Sequence, residues 1–470
     1  MKESLSGGVV ARSRSYGVAR ISGLLRDRVT PRPRNRILHP SAFILRVIQG
    51  APMLQLDTYT LNNGLRVVLN EDHSAPLVAV NLWYHVGSKN ERPGRTGFAH
   101  LFEHMLFSGS EHVGNNEHFR YVQSVGGVLN GTTFFDRTNY FETLPSNYLA
   151  LGLWLESDRM GYFLPALTQE KLDIQREVVK EERRQRYDNV PYGTAFERLL
   201  NLGFDPDYSY HWPTIGSMED LGAASLDDIR EFFATWYRPD NATLTLIGDF
   251  VPDEAKRLVE QYFGPIPSGG PFPSFSLERR PLNGERRDVF PSPVQLPRAY
   301  RLYHLPKMGH PDWIAGDLLT SVLSGDKASR LEKALVLEQQ IATDVAAYVL
   351  PTEATGIFMM QATANEGVSV EAIESAIDAE LMRIANEGVT ADELTRAKNR
   401  AEVEYAHQVE NYDSRADLIG MMSTYFGDPA LIHTWLDPYR AATGDDLQRV
   451  ARQYLVADNR VTSLFVPENA

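Results

Sequence analysis

The sequence predicts an α+β fold made of two homologous α+β repeats, and three observations support this prediction. Strand-like and helix-like segments alternate with short connections, which favours α+β over a doubly wound parallel sheet. Residues 264–273 contain seven Gly or Pro residues in ten positions, a composition typical of a linker. Stretches of sequence after this linker resemble stretches before it at nearly constant offsets.

The duplication is visible in two pairs of segments. LDDIREFFATWYRPDNATLTLIGD resembles DDLQRVARQYLVADNRVTSLFVPE, so Asn241 corresponds to Asn459 at an offset of 218. LTQEKLDIQREVVKEE resembles VTADELTRAKNRAEVE, so Thr168 corresponds to Thr390 at an offset of 222. A period this long is that of a whole domain, which excludes a solenoid of short repeats.

The predicted units are a first repeat at 53–263, a linker at 264–290 and a second repeat at 291–470. A chain of 470 residues is long enough for two such units. In the first repeat the apolar patterns predict strands at 65–70, 77–85 and 242–247, a strand-like stretch at 128–144, and helices at 98–107, within 149–202 and at 226–236.

Composition is that of a globular protein and excludes several other classes. Hydrophobic residues make up 43% and charged residues 23% of the sequence, which excludes a disordered chain, a coiled coil and a collagen. No run of 18 apolar residues occurs, so we expect no membrane partner. The chain has no cysteine, so any metal must be held by His, Asp or Glu.

Charge is distributed unevenly along the chain. Residues 1–52 carry nine Arg and one Lys against Glu3 and Asp27, about +8, whereas the whole chain carries −14. The acidic remainder argues against nucleic acid as a partner. We expect 1–52 to be a disordered basic extension, with Met53 opening the folded part and a cytoplasmic location. A transit-like segment of the same Arg-rich composition is the alternative.

The string GFAHLFEHMLF in the first repeat contains the residues most indicative of a catalytic site. His100 and His104 are four residues apart on the predicted helix 98–107, which we expect Thr96 to cap. They project from one face, and Glu103 lies near it. Two imidazoles beside a carboxylate suit a catalytic zinc ion, and H-x-x-E-H inverts a known zinc motif. A buried ionic network without metal is the alternative, because ionisable groups in an apolar helix need partners.

A tetrahedral zinc site needs a third protein ligand. The densest acidic candidate region is REVVKEERRQRYDNVPYG, which contains Glu177, Glu181 and Glu182. The spacing alone does not choose among these three carboxylates. A solvated helix face with ion pairs is the alternative interpretation of so many charges.

HLFEH, followed by GGVLNGTTFFDRTNYFETLP and then by REVVKEERRQRYDNVPYG, resembles the pitrilysin/insulinase family of inverzincin metallopeptidases. The similarity is greatest to small bacterial members and to the mitochondrial processing peptidase branch, and it covers roughly residues 55–470. It implies repeats of the processing-peptidase/pitrilysin type that form half of a clamshell. It also implies one zinc ion per chain, bound by His100, His104 and Glu182 with water in the fourth position, and Glu103 as general base.

The resemblance also concerns substrate binding. Relatives often carry an acid seven residues before the third ligand; here that position is Gln175, and whether nearby Glu177 assists catalysis stays open. In the family, the strand within Gly126–Leu144 is a sheet edge to which an extended peptide adds through its backbone. Asn130 and Thr132 lie on one side of this strand, two residues apart, and are the predicted substrate-binding residues.

The second repeat lacks the motif. The positions equivalent to His100 to His104 are Val322–Asp326, although Glu404 falls at the position of Glu182. Family members need an Arg and a Tyr from the opposing half of the clamshell, and the matching positions here are Val336 and Thr343. The resemblance therefore implies a heterodimer in which a homologous partner chain supplies the Arg–Tyr pair.

Together these features predict a zinc-dependent endopeptidase that hydrolyses extended or unfolded peptides in an enclosed chamber. The alternative is a non-catalytic structural or assembly subunit of the same fold, as in the core proteins of respiratory complexes. That alternative predicts that one or more residues of the H-x-x-E-H motif are replaced, whereas here the motif is complete.

Overall fold

A computed structural model of the chain describes residues 54–273 and 277–468. The predicted N-terminal extension, 1–52, and Met53 lie outside the described residues. Two mixed β-sheets, each covered by helices, make up the described part of the chain. None of the helices described is both long enough and apolar enough to cross a membrane.

The first sheet has six strands in the order β1-β2-β6-β3-β5-β4. Only β2 and β6 pair in parallel, and β4 forms one edge. Its strands are β1 (Asp57–Thr60), β2 (Arg66–Glu71), β3 (Leu77–Tyr84), β4 (Val128–Thr133), β5 (Thr138–Pro145) and β6 (Ala242–Gly248). The helices of this half are α1 (Phe98–Met105), α2 (Glu117–Ser124), α3 (Leu149–Tyr162), α4 (Gln169–Arg183), α5 (Ala195–Gly203), α6 (Met218–Ala223), α7 (Leu226–Trp236) and α8 (Pro252–Phe263).

The second sheet has five strands in the order β7-β11-β8-β10-β9. Only β7 and β11 pair in parallel, and β9 forms one edge. Its strands are β7 (Arg286–Ser292), β8 (Arg298–Leu305), β9 (Ala342–Leu350), β10 (Gly356–Ala364) and β11 (Arg460–Pro467). The helices of this half are α9 (Pro311–Ser324), α10 (Val370–Glu387), α11 (Ala391–Glu410), α12 (Tyr412–Met421), α13 (Asp437–Ala441) and α14 (Gly444–Tyr454).

The two sheets share one topology, with β2, β6, β3, β5 and β4 equivalent to β7, β11, β8, β10 and β9. The residues that revealed the duplication occupy equivalent places. Asn241 and Asn459 each donate from Nδ2 to the last carbonyl of the preceding helix, at 2.9 and 2.8 Å. Thr168 and Thr390 each cap a helix through the side-chain oxygen. The structure therefore confirms the predicted α+β fold of two homologous repeats.

The repeats exchange one helix each. Helix α5 of the first repeat packs on β8 and β11 of the second sheet, and α12 of the second repeat packs on β3 and β6 of the first sheet. Polar contacts also join α12 to the first repeat. Trp83 Nε1 donates to Asp417 at 2.9 Å, and Arg415 pairs with Asp72 at 2.9 Å. The second repeat therefore helps to cover the first sheet through α12.

Two predicted segments differ from the structure. The stretch 128–144, predicted as one strand-like segment, is a hairpin of β4 and β5 with a turn at 134–137. The turn of this hairpin contains Phe134 and Phe135, which favour strands, so the strand-like pattern runs through it. Strand β7 begins at Arg286, so the second sheet starts inside the predicted linker 264–290. The helices predicted within 149–202 are present as α3, α4 and α5.

A carboxyl pair is buried between β5 and α3. Glu142 and Glu156 are 2% and 0% exposed, and Arg159 Nη1 lies 3.4 Å from Glu156 Oε1. Burial, with the charge of Glu156, raises the pKa of Glu142 well above its usual range. Burial also raises the pKa of Glu156, although Arg159 opposes the shift. Folding therefore favours the protonated form of this pair.

This proton makes stability depend on pH. An unfolded glutamate loses its proton near pH 4.5, so the folded state binds more protons above that pH and the free energy of unfolding should fall as pH rises, by up to about 1.4 kcal/mol per pH unit for one proton. Glu142→Gln removes this difference. Urea unfolding between about pH 5 and 8 should give a flatter profile for the variant; a profile parallel to that of the wild type would contradict the raised pKa of Glu142.

Candidate metal centre

Helix α1 begins at Phe98 and is capped by a carboxylate from outside the helix. Glu91 accepts hydrogen bonds from the backbone N–H groups of Ala99, at 2.8 Å, and Gly97, at 3.0 Å. Trp212 Nε1 donates to the same carboxylate at 2.9 Å. Burial raises the pKa of Glu91 to about 8, although these three donors oppose the shift. Glu91 thus fixes the start of the helix that carries the H-x-x-E-H residues.

The prediction that Thr96 caps α1 is wrong. Its hydroxyl donates to Asp220 at 2.6 Å and does not cap the helix. The N-cap position is Gly97, whose φ of 82° lies in the left-handed region. A Cβ at Gly97 would lie 2.7 Å from the carbonyl oxygen of Ile215. The backbone therefore needs glycine there, and the capping function passes to Glu91.

Three side chains converge beside α1. The Nε2 atoms of His100 and His104 lie 3.7 and 3.3 Å from Glu182 Oε2, and one ligand atom from each residue lies within 4.8 Å of the others. In 54–273 and 277–468, no other group of three His, Asp or Glu residues is close enough to hold a metal ion. Tetrahedral ligands about 2.0–2.1 Å from zinc lie about 3.3 Å apart. The distance from Glu182 to His104 matches this value and the distance to His100 is 0.4 Å longer, so the nitrogen and oxygen donors suit zinc after a small movement.

The structure separates the three candidate glutamates. Glu182 faces α1 from the end of α4, and its Oε1 pairs at 2.5 Å with Arg186 Nη1 in a π-helical turn that continues the helix. Glu181 points outward and pairs with a neighbouring arginine. Glu177 is also exposed and pairs with Lys180 at 3.1 Å. Of these three glutamates, only Glu182 lies close to both His100 and His104.

Two of the three candidate metal ligands have pKa values that favour metal binding. Burial, with the neighbouring His104, lowers the pKa of His100 to about 3, so its imidazole is neutral. Burial acts to raise the pKa of Glu182, but His104, His100 and Arg186 together lower it to about 2. Burial opposes protonation of His104, yet Glu182 and Glu103 raise its pKa. A neutral imidazole and a carboxylate are the forms that bind metal.

Glu103 lies beside this cluster and is only 6% exposed. The hydroxyl of Thr133 on β4 donates to Glu103 Oε2 at 2.6 Å, and burial raises the pKa of Glu103. Close packing of β4 on α1 depends on Gly131: a Cβ there would lie 3.0 Å from the Phe107 ring and 3.1 Å from Glu103 Cγ. The carboxylate is therefore held from one side by β4.

The predicted substrate residues lie on the other face of β4. Asn130 and Thr132 share the face on which α12 packs, and the Thr132 hydroxyl donates to Asn139 at 2.5 Å and accepts from Arg137. Their role in binding substrate stays a prediction. Sequence reasoning missed Thr133, although strand alternation places it, with Gly131, opposite to this pair.

Strand β4 offers the open edge that an added strand requires. It pairs with β5 on one side, and within the described chain no strand pairs with its other side. The same strand contacts α1, so a peptide backbone laid along the edge would pass beside the cluster. The arrangement combines a metal-fitting donor set, a buried carboxylate and an unpaired strand.

The second repeat contributes no such cluster among the residues described. Val322 is buried in α9, and Glu404, the counterpart of Glu182, is exposed and pairs with Arg400 at 2.9 Å. The two positions expected for an Arg–Tyr pair hold Val336, in a π-helical segment, and Thr343, in β9.

Comparison with protein families gives the context for this geometry. Residues 66–205 match the family described as Insulinase (Peptidase family M16), and residues 223–401 match the Peptidase M16 inactive domain. The chain belongs to peptidase family M16, the pitrilysin/insulinase family. This confirms the resemblance. His100, Glu103, His104 and Glu182 all lie within the first match.

Individual relatives agree with the family. The chain is 29% identical over 416 residues to the zinc protease PqqE of Helicobacter pylori, covering 87% of this chain and 92% of that protein. The crystal structure of a protease from Helicobacter pylori superposes with a TM-score of 0.84 at 28% identity, over 88% of this chain and 100% of that one. Names of this kind support a protease and suggest zinc.

A longer relative shares the fold. The periplasmic protease PqqL from Escherichia coli superposes with a TM-score of 0.71 at 19% identity, covering 87% of this chain but 47% of that one. The present chain thus has the length of about half of PqqL. It is one half-clamshell unit of the M16 fold.

Proposed function

We propose that this chain is a zinc-dependent endopeptidase that hydrolyses extended or unfolded peptides in an enclosed chamber. The observation that carries the proposal is the convergence of His100, His104 and Glu182, with Glu103 beside them, next to an unpaired strand edge. The family and the names of relatives support the same class. In this proposal the chain holds one zinc ion.

His100, His104 and Glu182 would hold the metal, because their donor atoms are of the types that zinc prefers and lie 3.3 and 3.7 Å apart across the two helices. Bound zinc supplies a Lewis acid that polarises a carbonyl group and favours ionisation of water. Arg186 orients the Glu182 carboxylate through Oε1 and leaves Oε2 toward the histidines. The donor set is thus positioned from two helices before metal arrives.

Glu103 acts as the general base. Thr133 engages Oε2, which fixes the carboxylate while the group accepts a proton from the attacking water and then transfers it to the leaving amine. Burial stabilises the protonated form between these steps. The packing of Gly131 against Glu103 excludes water from the strand side of the carboxylate.

The substrate is proposed to add to the free edge of β4 as an antiparallel or parallel strand. Backbone hydrogen bonds supply affinity with little demand on sequence, which suits unfolded segments. Asn130 and Thr132, on the α12 face of this strand, are proposed to contact substrate side chains on that face.

A homologous partner chain completes the site in this proposal. Val336 and Thr343 replace the Arg and Tyr that the family resemblance assigns to the opposing half. Similarity to about half of PqqL is compatible with a unit that works with a second half. We propose a heterodimer in which the partner supplies the Arg–Tyr pair that stabilises charge on the scissile carbonyl.

The test is hydrolysis of a quenched-fluorescence peptide by the full chain, alone and with a homologue that lacks H-x-x-E-H but carries the Arg–Tyr pair. The partner should raise kcat/KM by about 10²–10³-fold, the usual contribution of an oxyanion donor. The matched control is the same partner with its Arg and Tyr replaced. Full activity of the isolated chain would refute the heterodimer, and no hydrolysis in either form would favour the non-catalytic subunit.

A further inference from the structure

The hairpin turns of the two repeats meet inside the molecule. The turn at 134–137 joins β4 to β5, and the equivalent turn at 351–355 joins β9 to β10. The backbone N–H of Glu353 donates to Asp136 Oδ2 at 3.0 Å, and Asp136 is 0% exposed. Tyr210 donates to the same carboxylate at 2.6 Å.

A buried lysine joins these two turns. Lys89, 3% exposed, donates from Nζ to Glu353 Oε2 and lies 3.3 Å from Asp136 Oδ1. His85 Nε2 lies 2.8 Å from the same Glu353 oxygen. A buried ammonium group is costly unless it is paired, so the two carboxylates, one from each repeat, fix the position of Lys89.

The backbone around Lys89 leads directly to the metal centre. The N–H groups of Ser88 and Lys89 donate to the carbonyls of Phe134 and Phe135, at 3.2 and 2.9 Å, which anchors the turn at the end of β4. Two residues after Lys89, Glu91 caps α1. The segment 88–91 therefore contacts both the turn that follows β4 and the start of α1, the helix that carries Glu103.

We infer that Glu353, acting through Lys89, is a positioning residue that holds the edge strand β4 in the geometry that peptide binding requires. The metal-free repeat thereby acts on the active centre of the other repeat without contacting substrate. This inference rests on the proposed peptidase function. It assigns to the second repeat a role beyond packing.

A second ion pair between the repeats provides the matched control. Arg415 on α12 is 5% exposed and pairs with Asp72 at 2.9 Å, next to the C-terminal end of β2. Its contacts include neither the 88–91 segment nor the turn at 134–137. Glu353→Gln and Arg415→Met therefore each remove an ion pair between the repeats. Only Glu353→Gln also weakens the contacts that hold β4.

The first measurement is steady-state peptide hydrolysis by the full chain in its active form. Glu353→Gln should raise KM by about 5–30-fold and change kcat less, because binding to β4 is weakened. Glu353→Asp keeps the charge and should stay nearer the wild type. Arg415→Met should leave KM unchanged. An equal change of KM in Glu353→Gln and Arg415→Met would overturn the inference.

The second measurement needs no activity. Hydrogen exchange of the full chain should be about tenfold faster or more at 128–137 in Glu353→Gln than in the wild type, and unchanged there in Arg415→Met. Faster exchange confined to this segment supports the positioning role even if no form of the protein hydrolyses peptides, an outcome that refutes only the proposed function. Unchanged exchange at 128–137 would overturn the inference.

Discussion

Glu103→Gln should leave zinc bound and reduce peptide hydrolysis by about 10²–10⁴-fold. Glutamine has nearly the same shape, so it can keep the hydrogen bond from Thr133 and the packing against Gly131. Its amide cannot accept the proton of the attacking water. Because the histidines and Glu182 are untouched, the donor set remains complete.

Two measurements on this variant separate its roles. Metal content should equal that of the wild type, and kcat should fall. Thr133→Val removes only the hydroxyl that fixes Glu103 and should give a smaller loss of kcat. If Glu103→Gln lost zinc, Glu103 would be a ligand, and the assignment of general base would be wrong.

Glu182→Gln should remove most of the bound zinc. The variant replaces the one anionic donor among the three with a neutral amide, and zinc prefers a carboxylate oxygen to an amide oxygen. The loss of affinity should exceed the about 10–100-fold that removal of an outer-sphere partner costs. Hydrolysis should fall in parallel with zinc occupancy, which equilibrium dialysis with elemental analysis would report.

Glu181→Gln is the matched control for this prediction. Glu181 is adjacent in sequence, has the same chemistry and is exposed on the outer face of α4. It should keep wild-type zinc content and activity. Zinc loss in Glu181→Gln together with zinc retention in Glu182→Gln would reverse the ligand assignment.

The fold was largely predictable because duplication leaves a signal in sequence. Asn241 and Asn459 have the same hydrogen-bonding task in both repeats, so the sequence repeats around them. The exchange of α5 and α12 between the sheets left no such signal, because packing of a helix on one sheet or another requires the same apolar face. Likewise, Glu91 caps α1 from outside the helix, and local capping rules identify only adjacent residues such as Thr96.

The candidate site was predictable in part. The spacing of His100 and His104 placed them on one helix face, and strand alternation could have pointed to Thr133. Glu182 could not be selected from Glu177 and Glu181 by spacing, because all three lie on one charged helix and their orientation is set by how α4 packs on α1. The family resemblance selected it, and the structure places it against the histidines.

The central claim is that peptide hydrolysis depends on one zinc ion held by the first repeat. The most direct test strips the purified full chain of metal with a chelator and titrates zinc back while hydrolysis is followed, with the homologous partner present. We predict that activity is lost on chelation, returns in proportion to bound zinc and saturates at one zinc per chain, and that Glu182→Gln does not recover at the same zinc concentration. Hydrolysis that survives complete removal of metal, or saturation without zinc bound to this chain, would contradict the claim.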